Sequence, residues 1–272
     1  MKKILITGNS GYIGSHLTQM LTPDYQIHGL DIKPPQHNVA HHWFNDICDL
    51  PSIHTEYHTV IHLAALVNVN ESEHDAIRYY NTNIQGTLKV LANTKYKNFI
   101  FASTGAAAQC ASAYGVSKRA AEDCVRQQCQ GQTDWTIFRF YNVIGSAGFA
   151  PTNPDGLLYN LLKSQHTGKF TIFGSDYDTP DGTCVRDYVH VMEICHAIKM
   201  AIEQPSGKIE SLGHGVGRSV KDIVQTFQDV NDIKLDISYA DRRPGDLAHS
   251  VLTDLSPYMK NLYAIPQLLK LG

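Results

Sequence analysis

What the 272 residues lack narrows the field first. No apolar run approaches the roughly 20 residues that a bilayer-crossing helix needs. There is no basic excess: 23 lysines and arginines stand against 26 acidic residues, for a net charge of −3. A protein gripping nucleic acid through its phosphates would show a basic stripe, so nucleic acid is not an expected partner. The cysteines, Cys48, Cys110, Cys124, Cys129, Cys184 and Cys195, include no CxxC pair and read as reduced thiols of a cytoplasmic protein. No HExxH occurs, and the adjacent His41 and His42 would diverge on a strand or a helix, so no metal is expected. Repeats, low-complexity tracts and long linkers are missing too. The apolar stretch before Gly8 is too short for a signal peptide.

What is present is an alternation. Short β-branched and apolar runs at Lys3–Thr7, Tyr25–Leu30, Thr59–Ala64, Asn98–Ser103 and Trp135–Phe140 read as strands. Helical stretches fall between them, at about Ile13–Leu21, Ala76–Asn93 and Ala113–Gln130. That order predicts an α/β chain, a Rossmann-type doubly wound parallel sheet with helices on both faces. After about Gly145 the alternation stops, and helices at about Leu157–Gln165, Met192–Glu203 and Val220–Asp229 accompany strands at Phe170–Phe173 and Val185–His190. Two units are expected: a dinucleotide-binding domain over 1–144 and a smaller substrate-binding lobe over 145–272, with 185–215 returning to the first sheet.

Gly8, Gly11 and Gly14 lie directly between the first strand and the first helix. Gly8 permits a tight turn, Gly11 admits a pyrophosphate close to the backbone, and Gly14 lets helix and strand pack closely. Asp31 ends the second strand 17 residues beyond Gly14. A carboxylate there accepts from an adenosine ribose and repels a 2′-phosphate, which favours NAD over NADP. Asp46 and Ile47 would flank the adenine. Tyr114 and Lys118 stand at i and i+4, on one helical face. An ammonium beside a phenol lowers its pKa, so Tyr114 is expected to act as a base near neutrality, with Thr104 and Ser103 at the preceding strand end to hold a substrate oxygen.

With these residues in place, the chain resembles the extended short-chain dehydrogenase/reductases, the NAD-dependent epimerase/dehydratase family, and within it the UDP-glucose 4-epimerases. The resemblance is carried by residues 6–16, 60–66, 79–88, 97–101, 138–145 and 172–177. Its most diagnostic stretches are Asp181–Val191 and Arg242–Leu247. It implies that Tyr12, Ile13, Leu63, Ala64, Ala65, Asn83 and Phe140 line the cofactor. It further implies that Asn142 contacts a UDP-sugar, that Phe173 borders the uracil, and that Arg186, Arg243 and Asp246 hold the pyrophosphate and ribose. Ser250, four past Asp246, would stand at a gate beside the sugar C2 substituent, where bulk excludes an N-acetyl group. A homodimer is implied as well, paired through Ile84, Leu88 and Leu91 with Ala120, Ala121 and Cys124.

The chain departs from that pattern in places. Gly105–Ala113 replaces a longer segment before Tyr114, Thr104 stands where Ser is more usual, and Gly156 replaces an Asn. The C-terminal part is expected to be short, and a trimmed lid would admit water and broaden selectivity. The expected activity is 4-epimerisation of UDP-hexoses, the N-acetylated pair included. A 4,6-dehydratase would need an Asp-Glu pair where Gly105 and Ala106 follow Thr104. The remaining alternatives are a UDP-glucuronate decarboxylase and a non-catalytic dinucleotide-binding protein.

Overall fold

In the computed structural model, which describes residues 1–260 and 262–270, the chain opens with β1 (Lys3–Thr7), α1 (Tyr12–Leu21), β2 (Gln26–Asp31), β3 (His41–Phe44) and β4 (Glu56–His62). Next come α2 (Val69–His74) and α3 (Ala76–Tyr80), which runs through a π-helical turn at Asn81–Gln85 into α4 (Gly86–Asn93). β5 (Lys95–Thr104), α5 (Ala106–Gln109), α6 (Ala113–Cys129), β6 (Asp134–Phe140) and β7 (Asn142–Ile144) follow. The second half supplies α7 (Leu157–Thr167), β8 (Lys169–Phe173), β9 (Val185–His190), α8 (Val191–Glu203) and β10 (Ile209–Leu212). β11 (Gly217–Ser219), α9 (Val220–Asn231), β12 (Asp236–Ala240), β13 (His249–Ser250) and α10 (Ile265–Leu269) complete it.

Seven strands form one sheet in the order β10-β6-β5-β4-β1-β2-β3, and every pairing in it is parallel. Continuous apolar runs make these strands: Ile4, Leu5 and Ile6 are all fully buried, as a sheet covered on both faces requires. On one face α1 and α8 pack Leu17, Leu21, Ile194 and Ile198 against the sheet. On the other, Val90 and Leu91 of α4 and Ala121 and Val125 of α6 pack on Phe99 and Phe101. A third core, including Leu161, Ile172, Ile223 and Phe227, holds the second half together. There β7, β9, β11 and β13 form a small sheet, and β8 pairs with β12.

The edge strand β3 was not expected, and β10 is the part of 185–215 that returns to the first sheet as a strand. β10 pairs with β6 from Ile209–Ile137 to Leu212–Phe140, whereas β9 belongs to the small sheet. The expected dimer face needs correction at two positions. Leu91 and Ala121 are buried in the core, because α4 and α6 turn those positions toward the sheet. The outward apolar surface is made instead by Ile77, Leu88 and Val116, all exposed, beside the half-buried Ile84, Ala120 and Cys124.

Candidate active site

A cavity of about 1080 Å³ opens at the C-terminal ends of β1, β4, β5 and β6, between the large sheet and the second half. This is where a doubly wound sheet reverses its strand order, with β4 and β2 on opposite sides of β1. Gly8 adopts φ +74°, and a Cβ on it would lie 2.7 Å from the Ala64 backbone nitrogen. A Cβ on Gly14 would lie 2.1 Å from the Gly8 carbonyl oxygen, so both positions exclude a side chain. α1 begins at Gly11 with no side-chain cap and no acidic residue in its first turn, while Tyr12, Ile13 and Gly14 line the cavity. An uncapped helix start against an open cavity suits an anionic phosphate group.

Asp31 lines the same end and is fixed there by the backbone N–H groups of Ser10 and Lys33, each donating at 3.0 Å. Asp46 and Ile47 also line it; the Asp46 carboxylate caps the short turn that follows by accepting from the Cys48 N–H at 2.8 Å. Leu63, Ala64 and Ala65 continue the wall beyond β4, and Phe140 lies at the end of β6. These groups fit a dinucleotide: a narrow turn and helix start for the pyrophosphate, and a carboxylate for a ribose diol.

Asn83 is the exception among the expected cofactor residues, because it lies behind the wall rather than in it. Buried in the π-helical turn, it accepts from the Leu66 N–H at 2.9 Å and donates to the Leu66 carbonyl at 3.0 Å. Its amide also donates to Ser117 Oγ, which in turn donates to the Tyr114 carbonyl. Asn83 therefore ties segment 63–66 to the helix that carries Tyr114. His62 adds a second strut. The Ala64 N–H donates to Thr7 Oγ1, which lies 2.6 Å from His62 Nδ1; His62 Nε2 lies 3.0 Å from Thr87 Oγ1, which donates to the Asn83 carbonyl. Following donors along this chain leaves the proton on Nε2. Burial, with the nearby Lys118 charge, pushes His62 down to about 3, so the strut stays neutral.

Thr104 ends β5, and Tyr114 and Lys118 lie on α6; all three line the cavity. Ser112 caps α6 by accepting from the Gly115 N–H, while the Tyr114 N–H donates to Ser72 Oγ, which fixes the start of the helix. The Thr104 hydroxyl is near enough to the phenol to favour its ionised form. Lys118 is 3% exposed and sits 4.1 Å from the Phe101 ring centroid. The expectation that Lys118 brings the phenol near neutrality is not met by the protein alone. Burial pushes Tyr114 up to about 12, against the nearby Thr104 hydroxyl, and pushes Lys118 down to about 7, against the Glu122 carboxylate. Glu122 is itself buried under a bidentate Arg139 and accepts from Ser103 Oγ at 2.5 Å. Between Thr104 and Tyr114 the abbreviated segment makes one helical turn, α5, closed by Cys110 at φ 52°.

The far wall comes from the second half. Asn142 lines it and donates to the Asp187 carbonyl at 3.2 Å. Arg243 lies 4.8 Å over the Phe173 ring and donates to Asp246 Oδ2 at 3.1 Å. Arg186 reaches Asp246 Oδ1 at 3.5 Å and donates to the Leu247 carbonyl at 2.6 Å. One carboxylate between two guanidiniums leaves a net positive wall. Ser250 pairs in register with Arg186 across β13 and β9, so both side chains point to the cavity side, but Ser250 is too short to line it. His249 pairs with Val185 and points the other way. Sequence reasoning missed Tyr188, whose hydroxyl is buried at the cavity without a partner among the described residues. Its signal was its place within the 181–191 stretch. Asn68, Asn70 and Arg78, also cavity-lining, carried no such signal.

Fold and site together define a doubly wound nucleotide-binding protein with a tyrosine–lysine pair at its crevice and a cationic wall opposite. The chain belongs to the NAD dependent epimerase/dehydratase family, whose model matches residues 4–213. It is 32% identical to the UDP-glucose 4-epimerase of Pasteurella multocida, over 90% of this chain and 87% of that protein. Among solved structures, it is similar to the UDP-glucose 4-epimerase of Thermotoga maritima with UDP-glucose, at TM-score 0.84 and 25% identity, covering 98% of this chain and 96% of that one. The fold also matches the UDP-glucose 4-epimerase of Bifidobacterium longum in complex with NAD+ and UDP, at TM-score 0.85, 23% identity and the same coverage.

Proposed function

We propose that this protein is a UDP-hexose 4-epimerase, an isomerase that uses bound NAD and returns it unchanged. The observation that carries the reading is the placement of Tyr114, Thr104 and Lys118 on one wall of the cavity that Arg186, Asp246 and Arg243 close from the other side. Similarity to UDP-glucose 4-epimerases along nine-tenths of the chain supports it.

The Gly8–Gly14 turn and Asp31 would hold NAD, and Lys118 its nicotinamide ribose. When bound, the oxidised cofactor supplies the hydride acceptor and a positive charge in the same cavity. Tyr114 would take the proton of the sugar 4-hydroxyl, and Thr104 would donate to the same oxygen. Once the sugar has turned within the cavity, Tyr114 would return the proton to the 4-oxygen. Arg186 and Arg243 hold the diphosphate, so the sugar turns while the nucleotide stays fixed. Phe173 and Tyr188 border the nucleoside.

The test is direct: purified protein with NAD and UDP-galactose should yield UDP-glucose. An unchanged sugar nucleotide would sink the reading. We place the protein in the cytoplasm, in keeping with six free cysteines and with no helix among the described residues long and apolar enough to cross a membrane. We also propose a homodimer through the outward faces of α3, α4 and α6, where Ile77, Leu88 and Val116 are exposed. A monomer mass by light scattering at micromolar concentration would refute it.

A further inference from the structure

Among the described cavity-lining residues of 8–82, Arg78 is the only side chain with a positive charge, and it stands one helical turn before Thr82, which neighbours Cys48 in the Asp46–Cys48 turn. Asp31 and Asp46 line the same end. A dinucleotide brings two further negative charges, and the helix start opposes them with only partial charges. Lys118 is committed to its pair with Tyr114.

Arg78 is also aimed. Its Nη1 donates to Glu71 Oε1 at 2.7 Å, and the buried Tyr79 hydroxyl donates to Glu71 Oε2 at 2.8 Å. The Tyr79 oxygen accepts from the Asn68 N–H, and Asn68 caps α2 by accepting from the Glu71 N–H. This closed set of bonds fixes Glu71 beside segment 67–70, which lines the cavity. Glu71 spends one nitrogen of the guanidinium fork and leaves the fork's remaining donors for a second acceptor. The Arg78–Glu71 pair is exposed, at 53% and 42% of the two side chains, so it adds little to folding.

We propose that Arg78 is a cofactor-binding residue, donating to the pyrophosphate of the bound dinucleotide while Glu71 positions it. This rests on the NAD reading above. The diphosphate of a UDP-sugar shares that chemistry, but Arg186 and Arg243 already serve it.

The experiment is calorimetric titration of the cofactor-free protein and of Arg78→Met with NAD, ADP-ribose, adenosine and UDP, at low and high salt. The variant should melt like the parent. NAD and ADP-ribose should weaken about tenfold, with adenosine and UDP within about twofold, since only the first two bring a pyrophosphate to this end. The parent's NAD affinity should also fall more steeply with salt than the variant's. Equal NAD affinity in the two proteins, or an equal loss for adenosine, overturns the assignment while leaving the cofactor reading intact. Weakening of UDP instead of NAD would move Arg78 to the substrate. A parent that binds no NAD overturns the cofactor reading and this assignment together.

Discussion

Tyr114→Phe removes one oxygen and nothing else. Phenylalanine keeps the ring that packs edge-on to Tyr79, 6.4 Å between centroids, and the site is 8% exposed, so no cavity forms. The lost group is a hydroxyl beside that of Thr104, which still accepts from the Ala106 N–H at 3.3 Å. Even a full hydrogen bond there would contribute only about 1 kcal/mol, so the variant should fold and melt nearly like the parent. Burial holds the phenol at about 12 in the unliganded chain, so no charge is lost from it at neutral pH, and the variant should still bind NAD. Turnover is different, because no other described side chain at the end of β5 and the start of α6 can exchange a proton with the sugar 4-hydroxyl as Tyr114 can. Losing a general acid/base costs about 100-fold or more, and the initial rate of UDP-galactose conversion should fall by that much. Product is quantified by chromatography at saturating NAD, across pH 6 to 9. A variant turning over within about threefold of the parent, with NAD bound, would remove Tyr114 from the proton path.

Lys118 tests the opposite balance. Burial lowers its pKa to about 7, so between there and the ordinary lysine value the unfolded chain binds a proton that the folded chain does not. Stability from this group therefore rises with pH across that window, and at pH 7 and below the fold carries the full cost of a buried ammonium. Lys118→Met should raise the melting temperature of the unliganded protein at pH 7, by less as pH approaches 10, while weakening NAD binding and turnover; a lower melting temperature at pH 7 would contradict this. Asn83→Ala strips the Leu66 N–H and carbonyl and Ser117 of partners, which should cost about 2 to 3 kcal/mol in urea unfolding and loosen NAD binding. Unchanged stability would show that segment 63–66 is held by something else. UDP-N-acetylglucosamine and UDP-N-acetylgalactosamine should be interconverted alongside the unsubstituted pair, because Ser250 points toward the cavity but stops short of it. Ser250→Tyr should abolish only the N-acetylated conversion, and equal loss of both pairs, or of neither, would remove Ser250 as the gate.

The chemistry-bearing residues were legible because the signals are local. A glycine turn between strand and helix, an acid at the next strand end, and Tyr and Lys one turn apart are fixed by backbone geometry within a few residues. What stayed hidden depends on partners distant in sequence. Asn83 was expected among the cofactor contacts, yet its bonds run to Leu66 and Ser117, which only the packed fold brings together. Leu91 and Leu88 read alike as apolar helix positions, and only the direction of the sheet makes one core and the other surface. β3 sits at an edge of the large sheet, where polar residues weaken the apolar pattern that marked the central strands. The i, i+4 spacing of Tyr114 and Lys118 was read correctly as a shared face. Their titration was not, since burial is a property of everything packed around them.

One consequence of the packing joins the two binding ends. The Tyr12 hydroxyl donates to the Gly145 carbonyl, and His16 accepts from the Ala147 N–H at 3.0 Å while its other ring nitrogen lies 2.8 Å from the Tyr12 carbonyl. Burial lowers the His16 pKa, which keeps the ring neutral and Nε2 able to accept. The helix whose first turn lines the cavity therefore also fastens the segment that leaves β7 for the second half of the chain. A positive φ of 88° at Gly145, where a Cβ would fall 2.0 Å from the His190 ring, shows how closely that segment is drawn in. A shift of α1 on binding the dinucleotide would move Gly145 and Ala147 with it. The segment after β7 is thus aligned from α1, by two side-chain hydrogen bonds, although the loop between Thr104 and Tyr114 contributes only the single turn of α5.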